Sequence, residues 1–319
     1  MKKIINCFFL LNVMINYSQE LNVPVATQYL ADNPFIISPG YAGIGDDLRI
    51  NLNAYKQWVG IENAPQNQSF YADLRILDRS GVGLSLYNDT NGNVKQAGGK
   101  FTFAHHLILD YYSKQYLSFG ISYIYNSFKI DINNSKPAEP DPDITDNRFT
   151  SNNNFEAGFL YRNKGFYFSA NMTNILPKKL DSYTSPEPKE LTNYQFYTGY
   201  AVRLENETEI EPSIFYQWYK SDGRSVTDLN LKYRKFNRYE DYYWAGISYR
   251  FLNDQIGKPL TIGPMIGFKK AYFTLSYSYQ IMMNDLSQYN SGTHSISIGL
   301  RFFQSISNCP CTQKYVRNL

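Results

Sequence analysis

Histidine is the side chain most often used for acid–base catalysis near neutral pH, and this chain of 319 residues has three. His105 and His106 are adjacent, so in a β-strand they point to opposite faces and cannot share one site. His294 and Ser297 also differ in parity, which separates the His–Ser pair that a lipase-like enzyme would need. We therefore expect no enzymatic activity and no cofactor.

Candidate metal ligands are equally sparse. Asp141, Asp143 and Asp146 could approach a calcium ion, but their spacing lacks the glycine and the terminal glutamate of a dedicated calcium loop. The prolines among them favour an extended, solvated loop. Cys309 and Cys311 form a Cys-Pro-Cys sequence with no histidine nearby, which indicates a strained disulfide or two free thiols rather than a metal site.

The dominant feature of the chain is strict alternation of apolar and polar residues. Fourteen short stretches between Leu48 and Phe302 follow this pattern, which is typical of strands with one face in apolar surroundings and the other in polar ones. No helix-period segment lies between them. The pattern predicts an all-β protein, a transmembrane outer-membrane β-barrel of about fourteen antiparallel strands.

The placement of charge favours a barrel in lipid over a soluble sandwich. A basic residue on the lipid face near the bilayer midplane costs roughly 2–4 kcal/mol, so that face should be free of charge. In all fourteen stretches the charged residues fall on the polar face, which we interpret as the lumen. The predicted lumen carries charged residues of both signs, which predicts internal ion pairs rather than a selective pore. The basic residues are Arg49, Arg75, Lys100, Arg203, Lys232, Arg250 and Arg301, and the acidic residues are Asp73, Glu156, Glu209, Glu211 and Asp228.

A two-sheet sandwich remains the structural alternative, because its inner faces also alternate. The aromatic content of 17 %, with 29 tyrosines, favours the barrel, because membrane barrels carry aromatic girdles at both interfaces. The connections agree. Even-numbered ones are short, whereas the odd-numbered ones include the long segments Asp131 to Asn153 and Asn174 to Asn193, as expected for periplasmic turns and external loops.

The chain divides into four parts. Residues 1–19 are predicted to be a signal peptide, with Lys2 and Lys3 before an apolar stretch, and residues 20–46 an irregular segment that is a plug or is periplasmic. The barrel spans residues 47–303, and residues 304–319 form a periplasmic tail. Removing the signal takes two of the 31 basic residues and none of the 28 acidic ones, leaving about +1, so nucleic acid is not expected as a partner.

Three sequence blocks resemble a known family. The first contains Asn33-Pro34 and the run from Ser38 through Pro39, Gly40, Tyr41 and Ala42 to Gly43. The second contains Lys56-Gln57-Trp58-Val59-Gly60 and Ala64-Pro65-Gln66-Asn67-Gln68-Ser69, and the third contains Gly81-Val82-Gly83-Leu84 with Asn88, Asp89 and Gly92. In this order the blocks are similar to those of the PorP/SprF family of type IX secretion system membrane proteins. Gly40 and Asn67 depart from the residues usual there, Ala and Thr.

The resemblance implies an outer-membrane protein of Bacteroidota, surrounded by outer-membrane lipid and linked to gliding motility. It further implies a role in export or surface attachment of a secreted protein that bears a C-terminal sorting domain, together with periplasmic components of the secretion machinery. The external loops should meet the exported partner, and the periplasmic turns and tail should meet the machinery. Because barrel folds host many functions, a passive or hydrophobic-substrate outer-membrane transporter is the alternative.

Overall fold

The computed structural model describes residues 34–45, 47–130, 148–177, 191–205, 207–221, 223–237, 241–255, 259–283, 285–303 and 309–312. The predicted signal peptide, Asn33 and the aspartates of the candidate calcium loop lie outside these residues. Within the described residues, no helix is both long and apolar enough to cross a membrane.

Fifteen strands make up almost the whole fold. Their bounds are β1 Asp47–Lys56, β2 Gln66–Leu77, β3 Ser80–Asn91, β4 Val94–Asp110, β5 Gln115–Ile130, β6 Arg148–Asn163, β7 Phe166–Thr173, β8 Asn193–Tyr200, β9 Val202–Leu204, β10 Thr208–Tyr219, β11 Ser225–Phe236, β12 Tyr242–Leu252, β13 Thr261–Lys270, β14 Phe273–Met282 and β15 Thr293–Phe303.

The strands form one closed antiparallel sheet in which each strand pairs with its neighbours in sequence. Closure comes from β1 and β15, which pair from Asp47 opposite Phe303 to Lys56 opposite His294. The strands β8 and β9 occupy one position, because both pair with β10. The predicted barrel of fourteen strands is therefore confirmed.

The interruption between β8 and β9 has a local cause in the facing strand. Ser213 of β10 pairs with Gly199, and Ile210 pairs with Val202. Pro212 lies between these pairs and has no N–H to donate to the ladder. On the other side of this segment, the Ala201 N–H bonds the Gly165 carbonyl, which precedes β7, at 3.0 Å.

The two faces of the wall differ as the alternation predicts. Large apolar side chains such as Leu52, Phe101 and Ile247 are exposed on the outside. Small polar residues such as Thr102 and Ser122 are buried on the inside, where their hydroxyls lie 2.9 Å apart. The fold thus presents an apolar surface outward and encloses its polar groups, which is the arrangement of a membrane barrel.

The two ends of the barrel differ in their connections. At one end, here named the turn end, short connections follow β2, β4, β6, β9, β11 and β13, and β1 begins and β15 ends there. At the other end, the loop end, connections range from Gly92-Asn93 between β3 and β4 to the segment between β5 and β6. Gly92 has φ of +58°, which suits the first central position of a two-residue hairpin turn. The segment predicted as a loop from Asp131 to Asn153 is shorter than expected, because β6 already begins at Arg148.

A segment of the chain fills part of the lumen near the turn end. Residues 34–45, which we call the plug, contain two 3-10 turns, Pro34–Ile36 and Pro39–Tyr41. Phe35 is fully buried, as is Ala42. A third 3-10 turn, Pro310–Thr312, lies beside the plug.

Candidate functional site: the plug and the loop-end patch

Charged side chains of the wall hold the backbone of the plug. The Asp73 carboxylate accepts a hydrogen bond from the Gly43 N–H at 2.9 Å and forms an ion pair with Arg49. Arg49 also donates to the Tyr41 carbonyl at 3.3 Å. Both charged side chains are almost completely buried, so each charge is compensated by the other, and both side chains also bond the plug backbone.

Two further polar groups of the wall bond plug carbonyls. The Asn171 amide donates to the Ile37 carbonyl at 2.7 Å. The His106 Nε2–H donates to the Ala42 carbonyl at 3.0 Å, and its Nδ1 lies 2.8 Å from the Ser118 hydroxyl. The neutral imidazole satisfies both contacts, because one nitrogen donates and the other accepts.

Glycines of the wall allow the plug to approach closely. A side chain at Gly120 would lie 2.6 Å from the Gly40 nitrogen, and one at Gly81 would lie 2.6 Å from the Gly43 Cα. At Gly83 it would overlap the ring of Phe35. These glycines are required because backbone meets backbone where any Cβ would collide.

Aromatic and aliphatic packing completes the contact between plug and wall. The Phe35 ring meets the Tyr71 ring edge-on, with centroids 6.5 Å apart, and Ile37 packs against Tyr197 and Phe215. Burial raises the pKa of the Tyr41 phenol well above its ordinary value, and the nearby Tyr197 adds to the shift. The phenol is therefore neutral at physiological pH.

A second buried cluster lies on the inner faces of β11, β12 and β13. Phe236, Tyr242, Trp244 and Met265 form a buried group near the turn end. The Arg234 guanidinium lies 4.9 Å from the Tyr242 ring centroid in a cation–π contact. The cluster therefore lies near the same end of the barrel as the plug.

The C-terminal turn is attached to the plug. Cys309 and Cys311 form a disulfide, which agrees with one of the two states predicted. The Gly45 N–H donates to the Thr312 carbonyl at 2.6 Å, and Arg162 donates to the Cys311 carbonyl. Both ends of the described chain therefore meet at the turn end.

Ion pairs line the rest of the lumen, as the mixed charges predict. Lys100 bonds Glu156 at 2.8 Å, and Lys232 bonds Glu211 at 3.0 Å. Further pairs join Arg250 to Asp228 and Arg234 to Glu209. The described wall pairs opposite charges across neighbouring or nearby strands and does not form a ring of one sign.

The connection between β1 and β2 folds back onto its neighbours at the loop end. The Gln57 N–H donates to the Pro65 carbonyl at 2.8 Å, and the Gly92 N–H donates to the Asn63 carbonyl at 3.1 Å. On the other side, the Val59 N–H donates to the Gly292 carbonyl at 3.1 Å. We call residues 56–68 with 88–92 the loop-end patch; its backbone is fixed on both sides.

The structure divides the family-motif residues between two places. Pro34, Pro39, Tyr41, Ala42 and Gly43 lie in the plug, and the others lie in the loop-end patch, namely Lys56, Gln57, Trp58, Gly60, Ala64, Pro65, Gln68, Asn88, Asp89 and Gly92. The departure Gly40 lies in the plug, where a Cβ would be 3.2 Å from the Leu160 Cβ.

The sequence reasoning missed three inward-facing residues of the lumen. His106 was set aside because it neighbours His105, and Arg162 and Arg234 were not assigned to the lumen. Strand parity could have found all three, because each continues the inward-facing set of its strand. As parity predicts, His294 bonds the Tyr277 hydroxyl outside at 2.7 Å, and Ser297 bonds Asn53 at 2.5 Å inside.

Comparison with known protein families identifies the family of this chain. The model of the family described as type IX secretion system membrane protein PorP/SprF matches residues 18–300. The chain belongs to the PorP/SprF family. As a closed barrel of this membrane-protein family, it resides in the outer membrane.

Solved structures share the fold of this PorP/SprF protein at low identity. The CymD monoaromatic hydrocarbon channel is 10 % identical, with 90 % of this chain and 94 % of that chain covered and a TM-score of 0.53. A Pseudomonas aeruginosa FadL homologue is also 10 % identical, with 86 % and 93 % covered and a TM-score of 0.50. The TodX deltaS2S3 mutant monoaromatic hydrocarbon channel is 8 % identical, with 84 % and 92 % covered and a TM-score of 0.50. No curated protein matches this chain.

Proposed function

We propose that this protein is the outer-membrane partner through which a type IX secretion system exports one secreted protein or attaches it to the cell surface. The match of the family model to residues 18–300 carries the proposal. The secreted partner would bear a C-terminal sorting domain and would meet the external loops. Periplasmic components of the machinery would meet the turn end. The protein would catalyse no reaction.

The plug inside the lumen supports a role other than passage through this barrel. Asp73, Asn171 and His106 each bond the plug backbone, and the buried aromatic cluster lies near the same end of the barrel. A partner that crosses the membrane would therefore travel beside this barrel, while the barrel recognises or holds it.

The external loops provide the test. Replacing residues 131–147 by a two-residue Asn-Gly turn shortens the connection between β5 and β6, whose paired ends Ile130 and Arg148 already face each other. We expect loss of the partner from the cell surface while the barrel still shows heat-modifiable migration in gels. The matched control is a variant in which the sequence of residues 131–147 is scrambled at unchanged length, which separates the effect of loop length from that of loop sequence. Full retention of the partner in both loop variants would contradict the proposal.

A passive or hydrophobic-substrate transporter is the second candidate, and one feature favours it. A groove of about 320 Å³ opens on the outer wall around Pro212, where Phe166, Tyr200 and Leu229 also line it. Apolar solutes could enter such a groove from the membrane. Planar-bilayer recordings separate the two functions, because large open currents from the intact chain would favour the transporter.

A further inference from the structure

One carboxylate of the lumen differs from the others in its pairing. Asp73, Glu156, Glu209, Glu211 and Asp228 each lie within ion-pair distance of an arginine or lysine. Asp89 is equally buried, with 5 % of its surface exposed. In the described structure it accepts a hydrogen bond from the Asn67 amide at 3.4 Å, the Tyr55 hydroxyl lies nearby, and no basic side chain is within ion-pair distance.

Asn67 has spare hydrogen-bonding capacity at the same place. Its amide nitrogen faces Asp89, and its carbonyl oxygen Oδ1 is buried with no donor among the described residues. Asn67 stands directly between Tyr55 of β1 and Asp89 of β3 in the strand register. Burying a charge without a partner is costly, and so is burying an unsatisfied amide. The Asp89 carboxylate and the Asn67 Oδ1 would both be satisfied by a cation that carries several hydrogen-bond donors.

The chemistry of the three groups fits an ammonium or guanidinium better than a metal ion. Calcium takes six to eight oxygen ligands, and the described residues contain no cluster of three or more His, Cys, Asp or Glu side chains that could hold a metal. A lysine ammonium has three donors and no acceptor, which matches one carboxylate, one amide oxygen and one phenol oxygen. Charge-assisted hydrogen bonds of this kind are stronger than hydrogen bonds between neutral groups.

The position of the three groups determines where such a cation would come from. Asp89 lies two residues before the end of β3 at the loop end, and the next turn bonds the connection between β1 and β2 through Gly92 and Asn63. The three groups therefore sit beneath the loop-end patch, on the side that faces away from the cell. The turn end, by contrast, is occupied by the plug.

We propose that Asp89, Asn67 and Tyr55 form a receptor for a lysine or arginine side chain of the exported partner. The identity of the partner rests on the proposed function, whereas recognition of the cation does not. Each group has one role: Asp89 supplies the negative charge, and Asn67 and Tyr55 supply neutral oxygens that fix direction.

The direct test uses the purified full-length protein in detergent and a small probe. Acetyl-lysine-amide is added at about ten times its dissociation constant, which should raise the melting temperature by about 3 °C. Acetyl-glutamine-amide and calcium chloride at equal ionic strength should produce no shift. A shift with calcium alone, or no shift with lysine at any concentration, would overturn the proposal.

Variants assign the effect to the site. Asp89→Asn keeps the shape, removes the charge and should abolish the shift, and Asn67→Ala should reduce it. Asp110→Asn is the control, because Asp110 is a partly exposed carboxylate at the turn end that accepts hydrogen bonds from the Ser113 hydroxyl and the Tyr112 N–H. An unaltered lysine shift in Asp89→Asn would refute the assignment. Because Asp89→Asn removes an uncompensated buried charge, it should fold at least as well as the wild type.

A cellular arm separates this inference from the proposed function. Surface retention of the partner is measured in strains that express Asp89→Asn, Asp110→Asn or no protein. We expect strong loss for Asp89→Asn and full retention for Asp110→Asn. Full retention of the partner in the Asp89→Asn strain would show that the partner does not supply the cation. Retention in the strain without the protein would refute the proposed function, whatever the probe shows.

Discussion

The contact between Gly120 and the plug makes a quantitative prediction. An alanine at this position would place its methyl carbon 2.6 Å from the Gly40 nitrogen, against Pro39 as well. Ordinary contacts begin near 3.4 Å, so the plug or β5 must move by about 1 Å. Overpacking of a well-filled interior typically costs about 1–3 kcal/mol. We expect Gly120→Ala to lower the free energy of unfolding by that amount.

The assay is a double-mutant cycle on urea unfolding in lipid vesicles. Gly120→Ala is measured in the full chain and in a chain that lacks residues 20–45. Without the plug the added methyl group meets only the lumen, so its cost should vanish and the coupling energy should equal the whole effect. Gly99→Ala is the control, because its Cβ points outward and meets the flexible end of Leu86 at 3.1 Å.

The result that would refute this reasoning is an equal cost in both backgrounds. The destabilisation would then come from the strand itself, for example from lost backbone freedom or a changed register, and not from the plug. A large cost for Gly99→Ala would point in the same direction. Either outcome would show that the close approach of plug and wall is not the cause of the stability lost in Gly120→Ala.

Three further predictions concern the wall and the lumen. Asp73→Asn should destabilise the barrel by about 3–5 kcal/mol in urea unfolding, because it leaves Arg49 buried without its counter-ion; a change below 1 kcal/mol would contradict this. Leu52→Arg should cost about 2–4 kcal/mol in lipid vesicles, since Leu52 is exposed on the outer face at the middle of β1; Lys56→Arg at the strand end is the control and should be neutral. Deleting residues 20–45 should convert a chain with small bilayer currents into one with larger steps, and unchanged currents would mean that other groups close the lumen.

Much of the fold could be predicted from the sequence, because one physical rule applies along the whole barrel. A strand between lipid and a polar lumen must alternate, so Leu52 faces out and Asn53 faces in without any knowledge of tertiary structure. The same parity placed Asp73, Glu156 and Asp228 in the lumen. The boundaries were less certain, since Arg148 to Asn153 read as loop but pair with β5.

The site was less predictable, because it depends on contacts between distant parts of the chain. The turn-forming prolines of residues 34–45 indicate an irregular segment, but not that it lies against Gly81 and Gly120. Strand parity separates His106, which points inward, from His105, which bonds Ser80, but nothing local in the sequence shows that His106 bonds the plug. Likewise, the absence of a basic partner for Asp89 is visible only once the strands are in register.

The seam between β1 and β15 has a consequence for biogenesis. The plug immediately precedes β1, and the strand that seals the cylinder is the last to be synthesised. The residues that grip the plug, including Asp73, His106 and Asn171, belong to the first half of the barrel. The open, partly formed sheet can therefore wrap around the leading segment before β1 and β15 pair, so that the insertion machinery receives a precursor that already holds its plug. Only the short C-terminal turn, which follows β15, has to dock against the plug afterwards.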